Sequence, residues 1–163
     1  MRVLAFLCFS VLSFYVAAES TLPSGCQAVA VQGESVTLQA KKSSLVFIHN
    51  LTSADLWVTH PVTHSSASAG WTTRLKGGNW TALALKKGPF VLNCIESKPG
   101  HEQQLPCEGA IAVCQWKAKG VKIPAKDRKV TFWVAEDMSL PALTAAVGAR
   151  GFVIPVPKSN EDE

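Results

Sequence analysis

The chain has 163 residues, with 16 Lys and Arg against 12 Asp and Glu, for a formal net charge of +4. That excess is too mild to argue for nucleic acid, and the length suits one domain able to bury a core. Only the N-terminus holds a long apolar run, and it is shorter than the ~20 residues that cross a bilayer, so no membrane-spanning segment is expected in the mature chain.

Met1-Arg2 gives a positive start, Val3 to Val16 is almost wholly apolar, and Ala17-Ala18-Glu19 ends the run with small residues and a polar break. This is the layout of a secretory signal peptide. Val16 and Ala18 fit the −3 and −1 positions of a peptidase site, so residues 1–18 are read as the leader and Glu19 as the mature start. Residues 19–157 then form one domain, exported and either periplasmic or secreted. Cys8 leaves with the leader, and Cys26, Cys94, Cys107 and Cys114 remain. An even count in an exported chain reads as two disulfides with three possible pairings. Cys94 and Cys107 flank a polar segment with Pro and Gly, 97–106, which favours Cys94–Cys107 together with Cys26–Cys114.

Eight strand-like runs follow, at 35–40, 45–50, 55–60, 71–75, 80–85, 90–95, 110–117 and 130–136. Each is rich in β-branched, aromatic or Leu residues, and most are bounded by Gly, Pro, Asn or Ser. The expected fold is mostly β, an antiparallel β-sandwich of about eight strands with one short helix near the C-terminus. Alternation makes both faces of 110–117 apolar, so that strand is placed inside a sheet. Gly77-Gly78-Asn79 reads as a hairpin turn. The helix is expected to open at Ser139 with Pro141 in its first turn. Leu140, Leu143, Ala146 and Val147 would share a face, and Gly148 or Gly151 would end it. Residues 152–154 resemble a last strand, and 158–163 an acidic disordered tail.

No nucleophile elbow, zinc-protease helix or phosphate loop is present, and paired cysteines are no nucleophiles, so the chain reads as non-catalytic and without a cofactor. The leading expectation is a binding module for a protein or envelope partner, presenting loops 60–70 and 97–106 from a rigid scaffold. The second loop carries His101, Glu102 and Gln103. Among the five tryptophans, Trp116 reads as core, whereas Trp71 and Trp80 flank the Gly77-Gly78 turn and are candidate anchors for a glycan, a lipid or a protein. An alternative is a metal-binding protein using His60 and His64, with Zn or Cu as the ion. Pro61 and the small residues after it favour an ordinary loop, and two ligands are too few. Asn50-Leu-Thr52 and Asn79-Trp-Thr81 match the glycosylation sequon, which counts only in a eukaryotic host. Lys117, Lys119, Lys122, Lys126, Arg128 and Lys129 cluster, and read as a solvated loop in preference to an anion-attracting face.

Trp71-Thr-Thr-Arg-Leu75 runs on through Gly78-Asn79-Trp80-Thr81-Ala82-Leu83, and Cys94-x-Glu96-x-x-Pro99-Gly100-x-Glu102-Gln103 through Cys107 to Val113-Cys114-Gln115-Trp116. With Leu56-Trp57-Val58-Thr59-His60-Pro61 upstream, these stretches resemble the enhanced entry protein B-like family of exported proteins from intracellular Gram-negative bacteria. The likeness covers about residues 45–155. It implies an envelope protein tied to entry into host cells and virulence, disulfides formed in the periplasm, and idle sequons. It implies no reaction and no catalytic or binding residues.

Overall fold

The computed structural model describes residues 22–61, 72–116 and 121–154. The expected leader, most of loop 60–70 and the acidic tail fall outside those residues. Two antiparallel sheets make a sandwich. Sheet A runs in the order β1 (Gln27–Val29), β9 (Ile111–Trp116), β3 (Ser44–Asn50), β6 (Trp80–Leu85), β10 (Phe132–Met138). Sheet B runs β2 (Ser35–Ala40), β7 (Gly88–Glu96), β4 (Leu56–Thr59), β5 (Thr72–Leu75), with the short β8 (Gln104–Leu105) also on β7. All eight expected strands are present. β1 and β8 were not expected, because two or three residues are too few to show alternation. Of 152–154 only a single bridge forms, between Val153 and Lys122.

The two sheets read differently because they are covered differently. In β2, Val36, Leu38 and Ala40 face the sandwich interior while Thr37 and Gln39 face water, the pattern of a strand with one dry side. β6 is buried at all six positions. Its Leu83 and Leu85 join the interior with Val46, Ile48 and Leu92. Its Trp80, Ala82 and Ala84 turn outward into a second core with Phe47, Trp116 and the helix α1 (Leu140–Ala149). Val121, Ile123, Leu143, Val147 and Phe152 close that outer face. β9 lies inside sheet A with both faces packed, as its alternation indicated. Fully buried Trp116 meets Phe47 edge to face at 4.7 Å.

α1 begins where expected, with Ser139 at the cap position and Pro141 in the first turn, although the Ser139 hydroxyl makes no capping bond. Gly148 lies within the helix; Gly151, at φ 91°, ends it. The segment Gly77-Gly78-Asn79 corrects the hairpin expectation. It joins β5 in sheet B to β6 in sheet A, so it is a corner between sheets. Gly77 is needed there because a Cβ would sit 2.6 Å from the Ser53 carbonyl, and Gly78 adopts φ 75°.

Both favoured disulfides form, Cys26–Cys114 and Cys94–Cys107. Two such bonds belong to an oxidising, non-cytoplasmic environment. The first ties β1 to β9 at the margin of sheet A; the second closes the base of the 97–106 segment. Among the described residues no helix is long and apolar enough to cross a membrane.

Candidate functional site

Sheet A is covered on both sides, but the outer face of sheet B carries no layer among the described residues. Register places the outward side chains. Trp57 of β4 stands opposite Arg74 on β5 and Ile95 on β7. Thr59 stands opposite Thr72 and Asn93, and Ile95 in turn faces Gln104. The result is a surface with one half-buried indole between Arg74 and Ile95, and with the hydroxyl and amide side chains of Thr59, Thr72, Asn93 and Gln104 nearby. Arg74, opposite Trp57, is held by Asp55 at 2.6 Å. An aromatic plate beside short polar side chains can stack on a ring and hydrogen-bond its substituents.

The expected site residues do not gather on this surface. Trp80 is not the exposed anchor proposed from sequence: it is 5% exposed, because β6 is buried on both sides. Its ring stacks on His49 at 4.1 Å. Trp71 and His64 lie outside the described residues. His60 is half-buried, stacks on Phe90 at 4.2 Å and places Nδ1 2.6 Å from the Val91 carbonyl oxygen. Among the described residues no group of three or more His, Cys, Asp or Glu side chains could hold a metal. His101, Glu102 and Gln103 are exposed. They sit in a tight hairpin between β7 and β8, where the His101 amide donates to the Lys98 carbonyl and the Glu96 amide to that of Gln103. Pro99 and Gly100, at φ 77°, suit the centre of that turn. The hairpin borders the Trp57 surface through Gln104. Trp57 was not singled out from sequence, because Leu56-Trp57-Val58 is apolar throughout; the structure buries Leu56 and Val58 and leaves Trp57 and Thr59 half-buried.

Both sequon asparagines are engaged. Asn50 is fully buried, and its Nδ2 donates to the Ala54 and Leu75 carbonyls at 2.7 and 2.9 Å. Asn79 Nδ2 donates to Asp137 at 2.8 Å. Asp137 also accepts from the Lys76 amide at 2.9 Å. This ties the edge strand of sheet B to that of sheet A and holds Asp137 at φ 51°. Burial alone would raise the Asp137 pKa, but the bonds from Asn79 and Lys76 and the nearby Lys76 ammonium hold it below its usual 3.8.

Burial lowers the pKa of His49 from its usual 6.5, against the opposing hydrogen bond to the Gly78 carbonyl. Its Nδ1 is enclosed without a hydrogen-bond partner among the described residues, so a proton there would find no acceptor. The unfolded chain then binds the proton more readily than the folded one. The resulting stability is complete above pH 6.5 and is lost as pH falls through the lower folded value. Thermal melts are expected to hold a steady midpoint above that pH and a falling one below it. His49→Gln should flatten the decline; an unchanged slope would place its origin elsewhere.

No protein family matches the chain, and no curated protein or solved structure matches it.

Proposed function

We propose that this protein is an exported, non-catalytic binding module of the bacterial envelope that engages a glycan through the open face of sheet B. The observation that carries the reading is the contrast between the sheets. Sheet A spends both faces on cores, whereas among the described residues sheet B leaves Trp57 half-buried on a face with hydroxyl and amide side chains. Thr59, Thr72, Asn93 and Gln104 supply donors and acceptors at the edge of the indole, the combination that a hydroxyl-rich ring requires. Export is supported by the leader-like residues 1–18 and the two disulfides. The envelope setting and the link to host-cell entry rest on the likeness of residues 45–155 to the enhanced entry protein B-like group.

The test is capture of the mature protein by immobilised envelope polysaccharide. Trp57→Ala is expected to weaken capture at least tenfold, about 1.4 kcal/mol or more, and Trp57→Phe to retain part of it. Because the side chain points out of the core, the melting midpoint should move little. Equal capture by wild type and Trp57→Ala would overturn the assignment, as would capture of protein partners alone.

A further inference from the structure

One end of the sandwich gathers cations among the described residues. The β2–β3 corner carries Lys41-Lys42, and the β6–β7 corner carries Lys86-Lys87. Both corners cross between the sheets. Ser44 pairs with Leu85, and Ala40 pairs with Gly88, so the corners run side by side about one strand spacing apart, ~4.8 Å. A single 3-10 turn, Ala125–Lys129, adds Lys126, Arg128 and Lys129. It is fastened to the first corner, where the Ser43 hydroxyl donates to the Arg128 carbonyl at 2.7 Å, and the chain just after it to the second, where the Lys86 amide donates to the Thr131 hydroxyl at 3.2 Å.

These seven side chains are all exposed. None forms an ion pair with another described residue, and Asp127 is the one carboxylate on the three segments. Carboxylates collect at the other end: Glu34 opens β2, Asp55 precedes β4, Glu96 ends β7, and Glu102 and Glu108 follow it. Three cations at that end, Arg74, Lys76 and Lys98, are paired with Asp55, Asp137 and Glu96, so among the described residues the unpaired positive charge gathers at the first end, and an extended anionic surface would both attract it and orient it.

We infer that this end is a docking surface for an anionic phospholipid bilayer. The charge is complementary, and it is laid across loop corners at one end instead of lining a cleft, which matches a plane of phosphates. Six of the seven residues are lysines. Flexible point charges suit many loosely placed headgroups, whereas a fixed phosphate site favours the planar fork of arginine. Val130, next to Lys129, is 49% exposed and adds an apolar side chain at the level the headgroups would occupy. Contact at this end leaves the broad face of sheet B free, so the assignment does not depend on the glycan reading.

Co-sedimentation of the full mature protein with vesicles tests it. Vesicles of phosphatidylcholine alone should leave the protein in solution. Vesicles of equal parts phosphatidylcholine and phosphatidylglycerol should carry it down, and molar salt should release it, because screening then acts within about 3 Å. Each lysine near such a surface contributes about fivefold to partition, so the double substitution Lys41→Glu and Lys42→Glu should weaken binding more than tenfold. The charge-matched pair Lys76→Glu and Lys98→Glu, at the opposite end, loses its ion pairs to Asp137 and Glu96, so its melting midpoint is checked against wild type, and the folded variant should bind as wild type. Lys41→Arg and Lys42→Arg should also bind, which separates charge from folding. No sedimentation with the acidic vesicles would overturn the inference. So would equal losses from the two charge-matched pairs, or binding only to a sulfated polysaccharide such as heparin.

Discussion

Replacing both Cys26 and Cys114 with alanine is expected to remove about 4.5 kcal/mol of stability, against about 3 kcal/mol for the same change at Cys94 and Cys107. The difference comes from the unfolded chain. The first bond joins residues 88 apart and the second residues only 13 apart, and the entropy withheld from a closed loop grows with its length. A domain of this size has roughly 5–15 kcal/mol in all, so losing the longer bond removes a large share. At roughly 3 °C per kcal/mol, the melting midpoint should drop on the order of 15 °C. The short strand β1 should also loosen, since only three register pairs hold it to β9. Thermal melts of the two double variants under oxidising conditions would check the ordering. A larger loss at Cys94 and Cys107 would show that packing around those two buried sulfurs outweighs loop entropy.

The second large effect is expected at Asn50. Its side chain is wholly buried and fully used: Nδ2 donates to two carbonyls, and Oδ1 accepts from the Thr52 amide and hydroxyl at 2.9 and 2.8 Å. These four bonds join the end of β3 to the loop before β4 and to the last residue of β5. Asn50→Ala abandons several buried polar groups at once and should cost about 3 kcal/mol. Asn50→Asp should cost more, about 4–5 kcal/mol, because it turns an anionic oxygen toward the Ala54 and Leu75 carbonyls in a site closed to water. Urea midpoints at neutral pH would measure both. An Asp variant as stable as wild type would mean that the corner opens to solvent. The same geometry bears on the sequon. A glycan on this nitrogen would displace one of its two donated bonds, so folded protein made in a glycosylating host should be unmodified at Asn50.

The sandwich was legible because sheet B obeys the period of two and because Gly, Pro and Asn punctuate the runs. The disulfide pairing was legible from one polar segment between Cys94 and Cys107. Trp80 was misplaced for a physical reason. Alternation separates the two faces of a strand but does not say which of them will be covered, and β6 is apolar on both. Only the arrival of α1 and residues 121–123, distant in sequence, decides that the outer side of sheet A is dry. The corner at Gly77-Gly78-Asn79 failed similarly, since a tight turn within a sheet and one between sheets use the same residues. Trp57 carried no signal of its own, since its neighbours Leu56 and Val58 are also apolar, whereas Trp71 and Trp80 flank a conspicuous turn. The cationic end was half visible. Lys126, Arg128 and Lys129 stood out as a run, whereas Lys41-Lys42 and Lys86-Lys87 are isolated doublets that only strand register brings together.

The two cystines are nested, one enclosing the other along the chain. A polypeptide that crosses a membrane N-terminus first presents Cys26 long before any partner, and the first thiol to follow is Cys94. Pairing in order of appearance would yield Cys26–Cys94 and Cys107–Cys114, and neither is native. For a chain exported in that order, correct pairing is expected to need a catalyst that reshuffles wrong bonds as well as an oxidant. In a host lacking disulfide isomerase the protein should accumulate as scrambled isomers.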